Sequence, residues 1–120
     1  MPRWESLEKS SRLFESDIQA IAEYTWELNS DVKYFTHHFV GIEFYSDEVG
    51  SIVTPSSGTY TVTVETRDTP GVYQAPPSNI IDASDRNSID FSGNPTAIKI
   101  TFDTIVGATH FKIRLASNRT

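Results

Sequence analysis

The chain has 120 residues, no cysteine and a formal net charge of −6. This length predicts one domain with its own core, and the absence of cysteine excludes disulfides and cysteine-based metal sites or nucleophiles. No apolar run approaches the roughly 20 residues of a membrane-spanning helix. The first residues also lack the apolar segment of a secretion signal. We therefore expect no membrane partner and synthesis in a cytoplasm.

The negative charge is concentrated in the first part of the chain. Residues 1–48 contain ten acidic and four basic residues, whereas residues 49–120 contain six of each. Affinity for nucleic acid comes mainly from Lys and Arg that neutralise phosphates. The sequence therefore predicts no specific nucleic-acid partner, and the acidic segment is suited to docking on a basic protein surface.

Residues 1–30 predict an N-terminal arm ahead of a β-sandwich domain at 31–120. Residues 5–14 fit either a short helix or an extended segment. Residues 18–28 fit both a helical stripe and a period-two alternation. The β-propensity of Tyr24, Thr25 and Trp26 favours a strand over residues 22–28.

Residues 32–46 form a long β-rich segment with aromatic side chains on both parities. Either both faces of this strand are covered, or a bulge near Gly41 shifts the register, and we favour the bulge. A monomer would leave some of this apolar surface, and its sheet edges, in water. The segment therefore predicts an oligomer or a bound subunit.

The second half of the chain predicts strands at 59–66, 80–83, 88–91, 96–103 and 108–116, from apolar–polar alternation between turn residues. The last two are expected to pair around Gly107, with one set of apolar side chains facing inward: Ile98, Ile100, Phe102, Phe111, Ile113 and Leu115. The predicted fold class is all-β. We expect a single antiparallel β-sandwich, jelly-roll or Ig-like, of about seven strands with the N-terminal arm.

Motifs for chemistry are sparse. His37 and His38 are adjacent, so on a strand they point to opposite sides, and a zinc site with His110 is disfavoured. The carboxylates at residues 82–90 lack the spacing of a calcium loop, and turn chemistry explains them, although a weak calcium site stays open. There is no phosphate loop, nucleophile elbow or His-Glu-x-x-His pair. We predict no enzyme, no cofactor and no metal.

Candidate interaction residues are aromatic or proline side chains on the arm and on the proline-rich loop. Loops on a rigid sandwich often carry binding residues. The Tyr73 loop could form a carbohydrate-stacking platform or a partner contact, or simply be capped by its own Tyr and prolines. The predicted interaction surface consists of Trp4, Phe14, Tyr73, Pro76 and Pro77.

Three segments resemble small bacteriophage virion structural proteins with a β-sandwich. They are 52–64, with Thr54-Pro55 before Gly58 and Val62, then 91–100, and 106–113, with Gly-Ala-Thr-His-Phe-Lys-Ile. The resemblance covers residues 32–117. It implies a capsid decoration, neck or tail-associated (head–tail accessory) subunit in the virion, a homo-oligomer with other virion proteins as partners, and no catalytic residues. The alternative is a carbohydrate- or receptor-binding module that uses Tyr73, Tyr45 or an exposed Trp as a stacking platform.

Overall fold

The computed structural model describes residues 11–85 and 88–119. Its strands, in chain order, are β1 (Ser11–Glu15), β2 (Gln19–Ala20), β3 (Tyr24–Glu27), β4 (His37–Tyr45), β5 (Ile52–Val53), β6 (Ser57–Thr66), β7 (Tyr73–Gln74), β8 (Ile80–Asp82), β9 (Ile89–Ser92), β10 (Pro95–Val106) and β11 (His110–Asn118). One 3₁₀ helix spans Ser30–Tyr34. Within these residues no helix has the length and apolar character to cross a bilayer.

Two antiparallel sheets pack against each other. In the first sheet β1 and β2 pair with one side of β11, β11 pairs with β4, and β5 and β9 pair with the other side of β4. In the second sheet the order is β3, β10, β6, with β7 and β8 both on the far side of β6. The predicted antiparallel β-sandwich is confirmed. The described residues contain eleven strands rather than about seven, because three of the outer columns are each divided into two short strands.

The core lies between the sheets. The inward side chains of β10 and β11 are fully buried, with Ile98, Ile100, Phe111, Ile113 and Leu115 all 0% exposed. The predicted pairing of these two strands is wrong, since β10 pairs with β3 and β6 and β11 pairs with β4, β1 and β2. The apolar sides of β10 and β11 face each other from the two sheets, so the expected residues point into the core although the two strands are not neighbours in one sheet.

Residues 11–28 contribute strands to both sheets. Ser11–Glu15 pairs with β11 from Asn118 to Arg114, and Tyr24–Glu27 pairs with β10. The expected strand over 22–28 is confirmed at Tyr24–Glu27. These residues of the predicted arm therefore pair with strands of the predicted domain, and the division at residue 30 stays a prediction. Residues 5–10 of the ambiguous segment lie outside the described residues.

The segment 32–46 begins as a 3₁₀ turn and continues as β4. The side chain of Asn29 accepts a hydrogen bond from the Asp31 N–H and so caps the turn. From there β4 pairs with β11 in unbroken register, from His37 to Tyr45. The predicted bulge near Gly41 is wrong, because the unbroken register turns Phe39 to the outer face and Val40 and Phe44 to the core, with Phe39 half-buried. The register shifts in the β6–β10 pair lie in β10, around Thr96 and around 104–105.

Candidate interaction surface

The structure separates the residues that the sequence singled out as an interaction surface. Phe14 is 5% exposed and packs edge-on against Phe35, with 6.0 Å between the ring centroids, so its ring belongs to the core. Tyr73 is half-buried in β7, on the second sheet, and the Lys99 Nζ lies 5.3 Å from its ring centroid. Burial, followed by the nearby Glu65 carboxylate, raises the pKa of Tyr73.

The structure describes two of the remaining predicted residues. Pro76 is half-buried and Pro77 is exposed, both in the loop after β7. Trp4 lies outside the described residues. Phe14 on the first sheet and Tyr73 on the second are therefore not parts of one contact surface.

The three histidines lie in the first sheet, and each has a local partner. His38 is 0% exposed, with its Nδ1 2.7 Å from the Ser117 hydroxyl and its Nε2 3.2 Å from the Gly93 carbonyl oxygen. The side chain of His37 points to the opposite face of β4 from His38, and its Nε2 lies 3.7 Å from Asp90 Oδ2. His110 Nδ1 lies 2.8 Å from the Thr109 hydroxyl. No cluster of His, Asp and Glu in the described part of the chain could hold a metal ion.

The carboxylates of the turn after β8 serve local hydrogen bonds. Asp82 Oδ1 accepts from the Ser84 N–H at 2.9 Å and from the Ser84 hydroxyl at 2.7 Å. These bonds to Ser84 hold the pKa of Asp82 below its usual value. This arrangement is an Asx turn, as the turn composition predicted.

A groove crosses the outer face of the first sheet. Leu13, Ala116 and Phe39 are register partners on three adjacent strands and point away from the core. Leu13 is 47% exposed and Ile52, at the far side of the groove, is 55% exposed. The groove has a volume of about 370 Å³. Its lining also includes Gly41, Pro55, Ala83, Asp85 and Ser88.

The groove ends in a notch in the edge of β4. On that edge β9 pairs with β4 up to Val40, and β5 pairs with it from Phe44 onward, so residues 41–43 lie between the two short strands. Tyr60 reaches the notch from the second sheet and forms a hydrogen bond with the Ile42 backbone. Burial raises the pKa of Tyr60 to about 12. The phenol thus satisfies a backbone group that has no neighbouring strand here.

A line of charged side chains runs beside the apolar row. Arg114 Nε lies 2.9 Å from Glu15 Oε2, and Arg114 Nη1 lies 3.7 Å from Glu43 Oε2. Lys112 Nζ is 3.5 Å from Glu15 Oε2. The Tyr45 hydroxyl donates to Glu43 at 2.5 Å, and burial, together with this bond, raises the pKa of Tyr45 to about 12. The charges on this face are therefore paired across three strands.

The residue-by-residue prediction missed Leu13, Ile52 and the groove. The signal was present in part, because aromatics on both parities of 32–46 predicted apolar surface on the outer side of that strand. Phe39 is that outward aromatic. Leu13 and Ile52 join it only through strand pairing between distant segments, which local periodicity does not report.

Residues 9–120 match a protein family described as "Domain of unknown function (DUF7265)", so the chain belongs to that family. A comparison with curated proteins found no match.

Solved structures of similar chain arrangement were found at low identity. A chain of the Bacillus endospore appendages, which are disulfide-linked pili, is 9% identical over 92% of this chain and 90% of that chain, with a TM-score of 0.39. The Drosophila NLP core is 11% identical over 91% and 97%, with a TM-score of 0.39. The capsid of Helicobacter pylori bacteriophage KHP30 is 13% identical over 90% and 92%, with a TM-score of 0.34. We draw no functional conclusion from similarities at this level.

Proposed function

We propose that this protein is a non-enzymatic structural subunit that works through protein–protein contacts, and that the particle it belongs to is a bacteriophage virion. The observation that carries the proposal is the groove on the outer face of the first sheet. There Leu13, Phe39 and Ile52 leave apolar surface in contact with water. Contiguous apolar surface usually marks an interface, because covering it releases the free energy of burial.

The polar groups beside the groove favour a contact surface over a reaction site. Arg114 already faces Glu15 and Glu43, and Lys112 faces Glu15. These pairs join β1, β11 and β4 to one another. What the groove offers a ligand is therefore chiefly its apolar floor and its shape.

The finer assignment to a virion rests on the sequence resemblance. The segments 52–64, 91–100 and 106–113 that carry it run through β5, β6, β9, β10 and β11, and so through both sheets. A protein whose role is to present a rigid shape needs such a scaffold rather than a catalytic constellation. The proposal places the protein in the virion, after synthesis in the host cytoplasm, as a capsid decoration, neck or tail-associated subunit.

The alternative of a carbohydrate-binding module needs a flat aromatic ring open to solvent. Tyr45 is 3% exposed, and Trp26 packs against the core. Lys99 lies against the ring of Tyr73. None of these three rings is offered to a sugar, so we keep one proposed function.

Mass spectrometry of purified virions tests the proposal. We expect the wild-type protein in stoichiometric amount. Leu13→Glu, which puts a charge into the groove, should fold but be lost from the particle, whereas the matched variant Val72→Glu, exposed in a loop of the other sheet, should be incorporated. Absence of the wild-type protein from virions would overturn the virion assignment. Equal incorporation of both variants would overturn the groove as the contact surface.

A further inference from the structure

We infer that the partner that covers the outer face of the first sheet is a second copy of this chain, related by a two-fold axis that lies between β4 and β11 and runs along the strands. The inference deepens the proposed function and rests on its premise that this face is an interface. In such an isologous contact every pair occurs twice, because residue i of one copy meets residue j of the other and residue j of the first meets residue i of the second. Sheets packed in this way lie about 10 Å apart.

The strand register fixes what stands in the middle of this face. Residues of β11 and β4 with the same parity point outward side by side. Three outward register pairs occupy the centre: Lys112 with Glu43, Arg114 with Gly41, and Ala116 with Phe39.

An axis along the strands exchanges the β4 and β11 columns of the two copies. Each outward residue then lies over the register partner of its counterpart. The small Ala116 faces the large Phe39 of the second copy, and the long Arg114 faces Gly41, which has no side chain. Lys112 faces Glu43, which brings opposite charges together. Volume and charge are thus complementary at all three positions.

The other two-fold arrangement of the same face is unfavourable. An axis across the strands reverses the order of residues along β11. Arg114 is the middle one of the outward positions from His110 to Asn118, so it would face Arg114 of the second copy. Like charges in contact oppose association, and the axis along the strands avoids this.

The charge distribution singles out this face within an acidic chain. The whole chain carries −6, so two copies experience a net repulsion. On this face Glu15 and Glu43 balance Lys112 and Arg114, and their side chains pair within each copy. Asp90, at the β9 margin of the face, lies beside His37. A second copy therefore meets a partly apolar surface here whose central charges are already paired.

The face also has the right order of size. The two central strands have nine residues each, about 30 Å at the usual rise, and four columns of strands at about 4.8 Å spacing span roughly 19 Å. The projected area is roughly 600 Å². Corrugation by side chains raises the accessible area above this, toward the about 800 Å² per partner of a stable interface.

A charge-exchange experiment tests both the partner and the geometry. Lys112→Glu and Glu43→Lys each place like charges opposite each other in the dimer, so each variant alone should be shifted to monomer in analytical ultracentrifugation. An equimolar mixture should form a one-to-one heterodimer in native mass spectrometry, because both pairs are restored. Lys99→Glu, on the outer side of the second sheet, is the control and should leave the wild-type dimer unchanged.

The double variant keeps the inference testable if either single variant fails to fold. Lys112→Glu combined with Glu43→Lys should form homodimers like the wild type, yet the two proteins should not form mixed dimers with each other. A wild-type protein that stays monomeric from micromolar to millimolar concentration would overturn the inference, as would single variants that remain dimeric or free mixing of the double variant with the wild type. A dimer that is absent from virions would instead overturn the virion assignment alone.

Discussion

The buried His38 is neutral and fully hydrogen-bonded in the folded protein. The Gly93 carbonyl can only accept, so Nε2 carries the hydrogen, and Nδ1 accepts from the Ser117 hydroxyl. Burial lowers the pKa of His38 from its usual 6.5, since the charged imidazolium would lose its solvation. The folded state therefore resists a proton that the unfolded chain accepts.

This predicts a loss of stability on mild acidification. Well above 6.5, the usual pKa of His38, the residue is neutral in both states and contributes no pH dependence. As the pH falls through that value the unfolded state binds the proton first, so the free energy of unfolding decreases until the lowered pKa is passed. Urea titrations between about pH 8 and pH 5 measure it. His38→Gln, which keeps a donor and an acceptor but does not titrate, should remove most of this slope.

The side chains of Asp47 and Asp82 do not contribute in that range. Hydrogen bonds from Ser51 to Asp47 and from Ser84 to Asp82 lower both pKa values from 3.8. Their stabilisation is lost only at lower pH. An unchanged slope in His38→Gln would show that another group controls the acid sensitivity.

Phe111 is the core residue whose truncation is expected to lower the free energy of unfolding most. It is 0% exposed and packs edge-on against Phe102 at 4.7 Å and Tyr24 at 6.0 Å. Phe111→Ala should lower the free energy of unfolding by about 3–5 kcal/mol, as for other large buried aromatics. Thr101→Ala, on the outer side of β10, should cost less than about 1 kcal/mol. Comparable losses in urea denaturation would contradict the assignment of inner and outer faces.

At the scale of elements, the pairing of β6 with β10 depends on Gly58. Thr59 pairs with Asp103 and Ser57 with Val106, so two residues of β10 bulge opposite Gly58. Gly58 has a φ of +114°, and a Cβ there would lie 2.6 Å from the Thr104 carbonyl oxygen. The close approach of two backbones explains why this position of the strand carries no side chain.

Gly58→Ala is therefore expected to destabilise the protein more than a matched change at Gly71. Gly71 has a φ of +80° with open space around it, so Gly71→Ala should cost only the left-handed strain of about 1–2 kcal/mol. Gly58→Ala adds a clash with backbone that cannot move without breaking the bulge. Thermal and urea unfolding of the two variants compare these costs. An equal loss would mean that the bulge adapts.

Strand β1 is part of the first sheet and contributes to the core. Phe14 is part of the core, and the Ser16 hydroxyl accepts a hydrogen bond from the Ile113 N–H at 2.8 Å. Deletion of residues 1–16 removes these contacts and exposes an edge of β11. We expect the truncated chain to lose its cooperative thermal transition in circular dichroism. A truncated protein that unfolds cooperatively near the wild-type temperature would show instead that the fold does not need residues 1–16.

At the scale of the whole molecule, the proposed dimer would couple association to folding. A dimer that forms only from folded chains stabilises them by mass action, so the midpoint of thermal unfolding should rise with protein concentration. Lys112→Glu, which opposes the proposed contact, should show a midpoint independent of concentration. Calorimetry over a concentration series measures this. A wild-type midpoint that does not change with concentration would contradict the proposed dimer.

The sequence by itself determined the fold class and most inward-facing side chains. Ile98, Ile100, Phe111, Ile113 and Leu115 follow a period of two, and alternation is a local property that one strand reports without its neighbours. The sequence therefore predicts which side of a strand is buried, whichever strand lies beside it.

Only the tertiary structure decided which strands are neighbours. The turn at Gly107 suggested a hairpin, but the chain crosses there from the second sheet to the first, and both routes bury the same side chains. The groove depends on that choice, since Leu13 reaches Phe39 only through pairing between segments far apart in sequence. Such pairing is set by the joint packing of two sheets, a long-range balance that no local pattern of residues contains.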